Sequence, residues 1–354
     1  MKIIFDSIIY WLQIDGGASR YWYEITSRAL QKENVMGQII RNEPTLNPWF
    51  NPFNVKTFPQ QFFLKSIDRY LDCKVSTAKS LNDIVFHSSH YRVPSNKSIA
   101  NVVTVHDFTY EMHRKGIARV IHSWQKYRAL LCADVIICIS QYTKEKMLFF
   151  YPSLKNKEIK VIYHGLSSDF KILEIGDKNS NIIFLGARND YKRFDLAVGA
   201  VSMSKDFILQ IIGQPLSTFE VQLLNSTIPN RWVYSGRLSD QDLNIAYNNA
   251  FCFIYPSESE GFGLPLLEAM QAGCPVLCSN KSVFPEIAGS AALYANKQNP
   301  ESYAAELNKL KNPEVRLDIV KKGLHHSAHF TWDKCFTQTR QAYELALKIR
   351  HEEL

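Results

Sequence analysis

Short apolar runs rich in β-branched residues recur along the whole chain, among them DIVFH, NVVTVHD, DVIICIS, IKVIYHG, NIIFLGA, FILQIIG, FCFIYPS and PVLCS. Each ends at or beside Gly, Ser, His or Asp and gives way to a stretch of helical character. A run of this kind is a strand buried on both faces, and strands alternating with helices describe a parallel sheet covered on both sides. Both halves carry the pattern, and 354 residues are more than one such core usually holds. The polar segment 165–181, GLSSDFKILEIGDKNSN, lacks strong periodicity and reads as the linker. The expected fold class is α/β, two doubly wound Rossmann-like domains facing a central cleft, with ligands at the carboxyl ends of the strands.

Composition narrows the function classes. With 46% hydrophobic and 21% charged residues the chain is ordinary globular material, and no apolar run reaches the roughly 18 to 20 residues that span a bilayer. Asp6 interrupts the apolar start and no small-residue cleavage site follows it, so MKIIF reads as a first strand rather than a signal peptide. Seven cysteines, an odd number and mostly inside apolar runs, fit a reducing compartment. Cys274 and Cys278 have no matching Cys or His pair nearby for a structural zinc. The net charge of +7 suggests acidic partners, which include nucleotide phosphates, an anionic membrane face and nucleic acid. The basic residues are spread along the chain with acids between them rather than gathered in a stripe with aromatics, which argues against nucleic acid.

The densest chemistry lies in SESEGFGLPLLEAMQAGCPV, residues 257–276. After the strand FCFIYP comes a glycine-lined loop, then Pro265 at a first helical position and Gly273 at a helix C-terminus. Free backbone N–H groups at such a turn bind phosphate. Glu260 falls in the loop and Glu268 about one turn into the helix, where carboxylates can accept hydrogen bonds from sugar or ribose hydroxyls. A solvated Glu260 and an ion-paired Glu268 are the bland alternative. In LGARNDYKRFDLAV, residues 185–198, Arg188, Lys192 and Arg193 follow a strand end, well placed to neutralise a diphosphate leaving group. That turn also fits an ordinary basic, solvated turn. In the first half, Gly16 and Gly17 precede helical sequence, where backbone can approach a ligand closely. His106 and Asp107 end the strand NVVTV, and by position alone His106 reads as a hydrogen-bonded structural residue. The Asp-x-Asp of SDQDL, residues 239–243, looks like a metal motif, but Ser239 is a good N-cap and acids suit a first helical turn.

These stretches resemble the retaining glycosyltransferases of family GT4, with the two-domain GT-B fold, and in particular members that build bacterial surface polysaccharide. The matching segments are FDSIIYWLQIDGGASRYWYEI, VVTVHD, ADVIICISQYTKEKM, VIYHG, GARNDYKRF, FIYPSESEGFGLPLLEAMQAGCPV and SNKSVFPEIAGSAAL, in the family's order from residue 5 to about residue 295. The resemblance implies that the E-x7-E pair is Glu260, beside the reacting carbon of the donor sugar, and Glu268, on the ribose. It implies diphosphate contacts from Arg188 and Lys192, close backbone at Gly16 and Gly17, and His106 bordering the donor sugar. Gly261, Phe262 and Gly263 are expected to supply backbone contacts, with Leu264 and Arg237 completing the donor-binding set. Departures are Asp15 for an aromatic, Ala18 for a larger aliphatic, Arg193 for asparagine and Ser290 for an acid.

The implied function is transfer of a sugar, with retention, from a nucleotide-diphosphate sugar to a glycan or undecaprenyl-diphosphate-linked oligosaccharide acceptor. A GDP-mannose-like donor is favoured over a UDP- or dTDP-sugar. No cofactor and no divalent metal is expected. An epimerase or phosphorylase on the same fold, or a non-catalytic glycan binder, is the alternative. The implied domains are 1–168, 169–330 and a closing helix, 331–354, that returns to the first domain. The implied location is the cytoplasm, with contact at the inner membrane face. The basic, apolar stretch HRKGIARVIHSWQKYRALL, residues 113–131, reads first as an ordinary core-facing helix and second as an interfacial helix on anionic lipid.

Overall fold

A computed structural model describes residues 1–13, 16–41, 45–50, 56–60, 68–75, 83–174 and 179–353. The chain divides into two units, Met1–Gly165 with Trp332–Leu354, and Leu166–Thr331. Asp15 and residues 175–178 of the linker lie outside the described residues.

In the first unit, β1 (Lys2–Asp6), β2 (Asn34–Arg41), β3 (Lys56–Gln60), β4 (Ile84–Ser88), β5 (Ala100–Val105), β6 (Val135–Cys138) and β7 (Glu158–Val161) form one parallel sheet in the order β3-β2-β1-β4-β5-β6-β7. Every residue of β4, β5 and β6 is buried, which is why these strands read as unbroken apolar runs. The helices are α1 (Ile9–Leu12), α2 (Gly17–Lys32), α3 (Thr109–His113), α4 (Ile117–Leu131) and α5 (Gln141–Phe150). Helix α2 turns Tyr21, Trp22, Ile25 and Ala29 onto the sheet, at the spacing of a helix with one buried face. The closing helix, Trp332–Glu353, buries Cys335, Phe336, Thr339, Ala342, Tyr343 and Ala346. Apart from Thr339, these join Phe5, Trp22, Val85 and Val102 in one core, so its apolar face is partnered within this unit.

Helix α4 departs from the core-facing reading of residues 113–131. Its buried residues are His122, Gln125, Lys126, Ala129 and Leu130, whereas Ile117, Val120, Ile121, Trp124 and Leu131 are exposed. Periodicity revealed the stripe but not its direction. The polar side turns inward because buried partners await it, with Lys126 ion-paired to Glu111 at 2.8 Å.

In the second unit, β8 (Asn181–Leu185), β9 (Ile208–Ile212), β10 (Trp232–Gly236), β11 (Cys252–Tyr255), β12 (Val276–Ser279) and β13 (Leu293–Ala295) form a parallel sheet in the order β10-β9-β8-β11-β12-β13. Helices α6 (Phe194–Ser202), α7 (Thr218–Thr227), α8 (Asp240–Asn249), α9 (Leu264–Gln271), α10 (Phe284–Ala288), α11 (Pro300–Lys309) and α12 (Pro313–Ser327) accompany it. The strand order reverses between β8 and β11, and in a doubly wound sheet ligands bind beyond the carboxyl ends of the strands at such a point. Gly186 and Gly213 follow β8 and β9 at φ 112° and 139°. A Cβ on Gly213 would stand 2.8 Å from the Gly186 carbonyl oxygen, so close approach of two strand ends requires glycine there. The SDQDL segment is the cap it was read to be: Ser239 Oγ accepts from Asp242 N at 3.1 Å and opens α8.

Candidate active site

The loops after β8 and β11 flank the reversal point of the second sheet, and they carry most of the residues singled out from sequence. Lys192 reaches the Glu260 carboxylate as an ion pair, with the lysine at 15% and the glutamate at 14% exposure. The Lys192 ammonium also lies 5.5 Å from the ring centres of both Tyr191 and Tyr255. Burial, followed by the adjacent Glu260 carboxylate, raises the Tyr255 phenol well above its ordinary pKa, so it stays a neutral neighbour of that carboxylate. The arrangement is a partly desolvated charge pair against aromatic walls.

Backbone bonds hold the two loops in register. Glu258 N donates to Tyr191 O at 2.8 Å, and Ser257 Oγ donates to the same oxygen at 3.3 Å. Ser282, in the left-handed region at φ 60°, closes the other side: its Oγ accepts from Glu260 N at 2.9 Å and donates to Glu260 O at 3.0 Å. One serine hydroxyl thereby fixes the backbone that presents Glu260. Nothing local in the sequence announced Tyr191 or Ser282 in these roles.

Beyond Glu260 the chain passes Gly261 and buried Phe262, whose ring meets Phe330 edge-on at 6.1 Å. Gly263 is the N-cap of α9 in the left-handed conformation, φ 90°, and Leu264 and Pro265 open the helix. A Cβ on Gly263 would come within 3.3 Å of the Phe284 ring. Glu268 lies one turn on and is 5% exposed. A buried carboxylate one turn inside a helix whose amino end carries Glu260 fits a hydroxyl acceptor set back from the loop. Gly273 ends the helix at φ 69°, as the C-terminal glycine expected there.

Arg188 and Arg193 are engaged differently from Lys192. The Arg188 guanidinium bonds Glu220 at 2.6 Å and donates to the carbonyls of Gln214 and Pro215 at 2.8 and 2.6 Å. Glu220 belongs to the capping box that opens α7, so Arg188 is pinned toward that helix rather than toward Glu260. Arg193 stands in the left-handed region at φ 51°, a conformation that asparagine tolerates better than arginine. It bonds Asp195 at 2.8 Å and Glu258 at 3.0 Å. Arg237, just past β10, is exposed and has no side-chain partner among the described residues. Of the three cations read as diphosphate partners, Lys192 pairs with Glu260, Arg188 is tied back to α7 and Arg193 pairs with Asp195 and Glu258, while Arg237, expected in the donor-binding set, is open to solvent. Ser290 follows Gly289, which ends α10 at φ 52°.

In the first unit, Gly16 caps α2 and Gly17 is its exposed first residue, so backbone N–H groups are presented at the carboxyl end of β1. Ala18 packs against the core beneath them. His106 follows β5, with its ring edge-on to Tyr21 at 5.2 Å and stacked on His164 at 5.9 Å. Its Nε2 is buried without a hydrogen-bond partner among the described residues, contrary to a fully hydrogen-bonded structural role. Burial pushes the imidazole down to about 4, against the Asp107 carboxylate and with help from the Lys126 ammonium, so it is neutral at pH 7.

Lys126 from α4 supports this turn from behind. Its ammonium donates to Asp107 O at 2.9 Å and to Glu111 at 2.8 Å, and lies 4.3 Å from the Phe108 ring centre. Burial alone raises the Glu111 carboxyl, but the neighbouring His122 ring at 3.7 Å and the Lys126 ammonium outweigh it and hold Glu111 at about 2. Neither residue stood out in the sequence, because a buried Lys–Glu pair on separate helices leaves no local signature.

Comparison with known proteins follows the same division. Residues 166–326 match the family described as "Glycosyl transferases group 1", and residues 16–170 match "Glycosyltransferase Family 4". The chain is 28% identical to the O-antigen chain mannosyltransferase B of Escherichia coli over 293 residues, 75% of this chain and 76% of that one. It is 30% identical to an uncharacterized glycosyltransferase of Methanocaldococcus jannaschii over 271 residues, 72% and 74% of the two chains. Among solved structures, Anabaena Alr3699/HepE in complex with UDP and glucose is similar in fold, with a TM-score of 0.72 at 15% identity over 97% of this chain and 99% of that one.

Proposed function

We propose, for a chain that belongs to the group 1 and family 4 glycosyltransferases and has their GT-B fold, a retaining transfer of a mannose-like sugar from a nucleotide-diphosphate donor. The acceptor is a growing surface glycan, lipid-linked and handled at the anionic inner face of the membrane. The observation that carries the reading is the Lys192–Glu260 pair at the reversal point of the second sheet, with Glu268 buried one turn behind it. The mannosyltransferase among its relatives supports the sugar, and a GDP-sugar is the favoured donor.

In this reading Lys192 leaves Glu260 for the diphosphate, whose negative charge grows as the bond to the anomeric carbon breaks. The amino end of α9 and the backbone at Gly261, Phe262 and Gly263 add N–H donors, with Leu264 opening the helix. Glu260, released from its partner, accepts hydrogen bonds from donor-sugar hydroxyls beside the reacting carbon, and Glu268 accepts from the ribose. Arg188 and Arg237 supply further positive charge, Arg188 by exchanging Glu220 for phosphate. In the first unit we assign Gly16 and Gly17 close backbone contacts to phosphate and His106 a contact to the donor sugar. The acceptor hydroxyl oxygen bonds to the anomeric carbon on the face the diphosphate leaves. Its proton passes to a phosphate oxygen of the leaving group. No protein nucleophile, divalent metal or other cofactor enters these steps.

Calorimetry with GDP, UDP, dTDP and their sugar conjugates, with EDTA present, tests the donor assignment. Tight binding of GDP and GDP-mannose without metal supports it. Selective binding of a UDP- or dTDP-sugar, or binding lost on chelation, rejects it.

A further inference from the structure

Helix α4 is amphipathic with its sides reversed. Ile117, Val120 and Trp124 are 78, 66 and 57% exposed, and Ile121 is exposed beside them, while His122, Gln125 and Lys126 are buried on the opposite side. On the inner side Lys126 donates to Glu111 and to the Asp107 carbonyl and the Gln125 amide donates to the Arg69 carbonyl, while Gln125 Oε1 and His122 Nδ1 are buried without a hydrogen-bond partner among the described residues. The buried Lys126–Glu111 ion pair anchors that side inward, and the opposite side leaves an apolar stripe in water.

The stripe continues at Trp124 into a groove of about 400 Å³ walled by Tyr127, Phe150, Tyr151 and Pro152. Phe149, 74% exposed, meets Phe150 edge-on at 5.2 Å. Trp and Tyr at the margin of an apolar surface suit the boundary between hydrocarbon and headgroup, where a ring can be half apolar and half wet. Charge supplies the second half of the argument. Arg114 and Lys115 immediately precede α4 and Arg119 lies in its first turn, and none has a carboxylate partner among the described residues. A helix amino end is already positive through its dipole and favours anions, so a cation cluster there is destabilising until an anion arrives. Helix α4 itself carries no acidic residue.

We propose that α4 and the adjoining aromatic groove form a docking face for an anionic lipid bilayer, with the apolar stripe entering the acyl boundary and Arg114, Lys115 and Arg119 meeting lipid headgroups. An exposed hydrocarbon-compatible stripe ending in cations without carboxylate partners matches a surface whose interior is apolar and whose headgroups are negative. The inference deepens the lipid-linked acceptor reading and rests on it for its purpose.

Flotation of the purified full chain with vesicles of phosphatidylcholine alone, or mixed with phosphatidylglycerol, tests it. The wild-type chain floats with the mixed vesicles and is released by salt. Val120→Glu with Trp124→Glu abolishes flotation, and Arg114→Gln, Lys115→Gln and Arg119→Gln together weaken it by about 100-fold, from roughly 1 kcal/mol per cation. Absence of flotation, or flotation indifferent to anionic lipid and salt, overturns the proposal. So does a dimer in sedimentation velocity that Val120→Glu with Trp124→Glu converts to monomer, since a second copy then covers the face. Nucleotide binding is measured on the same preparations. Binding without flotation removes the docking face and leaves the transferase reading standing, and flotation without binding does the reverse.

Discussion

Lys192 and Glu260 form an ion pair that joins the loop after β8 to the loop after β11, with both side chains largely withdrawn from solvent. The cation expected to receive a diphosphate is thus neutralised by the carboxylate expected to touch the sugar. In the proposed reading donor binding separates them, and the carboxylate is freed as a sugar arrives to donate to it. The two bonds from Ser282 hold the Glu260 backbone independently of its side chain, so the proposed exchange needs no movement of the loop.

Glu260→Gln removes the charge and keeps the shape, so it separates the two tasks. Transfer falls by at least about 100-fold, the range for loss of a group that acts in the transition state. Affinity for the nucleoside diphosphate is unchanged or higher, since Lys192 no longer leaves a carboxylate to meet phosphate. Lys192→Ala lowers that affinity by about tenfold or more, as expected for a lost charge-assisted hydrogen bond. Initial rates and calorimetry on the two variants check this, and wild-type turnover in Glu260→Gln would falsify the role of Glu260.

Gly213→Ala and Gly236→Ala make a matched pair for the strand ends. Both glycines have positive φ, but a Cβ at Gly213 meets the Gly186 carbonyl at 2.8 Å while one at Gly236 meets nothing within 4 Å. Gly236→Ala is expected to cost about 1 kcal/mol from backbone strain alone. Gly213→Ala adds overpacking, for a total of about 2–4 kcal/mol. Urea titration of both variants measures the difference, and equal stability would mean that the close approach of β8 and β9 relaxes freely.

Histidines set the acid limit of the first unit. Burial lowers His106 to about 4, lowers His122, and lowers His87, His90 and His164 well below the ordinary 6.5. Between pH 6.5 and about 4 the unfolded chain binds protons at these sites that the folded chain does not. Their contribution to stability is therefore fully present above 6.5 and lost as pH falls. Burial raises Asp6 and Asp134 above the ordinary 3.8, and these act in the opposite sense. Denaturant midpoints should drop between pH 7 and pH 5, and His106→Asn should lessen the drop; a flat profile would show that the buried imidazoles do not govern it.

What sequence revealed and what it concealed divides along a physical line. Strands such as ANVVTV and CFIY were legible because burial on both faces demands unbroken apolar runs, and the Glu260 to Glu268 spacing was legible because loop and helix are continuous in the chain. The partners of those residues were not. Ser282 reaches Glu260 across 22 positions, and Glu220 reaches Arg188 across 32. Arg193 drew attention as a cation after a strand end and as a departure, but its left-handed backbone and its pairing with Glu258 depend on the fold. In α4, the same periodic stripe fits either direction, and Glu111 and Asp107, on a neighbouring segment, decided which side turned inward.

Glu111 and Lys126 permit a sharper test of that decision. Both are nearly inaccessible, at 2% and 1% side-chain exposure, and Lys126 also holds the Asp107 carbonyl beside His106. Lys126→Met leaves a buried carboxylate without its main counter-charge and is expected to cost about 3–5 kcal/mol. Adding Glu111→Gln removes the stranded charge, so the double variant should recover much of that loss, because Ser123 and Tyr151 can still bond the amide oxygen. Even with stability recovered, the bond from Lys126 to Asp107 stays missing, and the His106 turn loses its support. The double variant should therefore melt near wild type while turning over more slowly, its donor affinity reduced less than its rate. If both stability and rate return, Lys126 serves packing alone; if neither does, the buried pair is needed to fold α4 against the sheet.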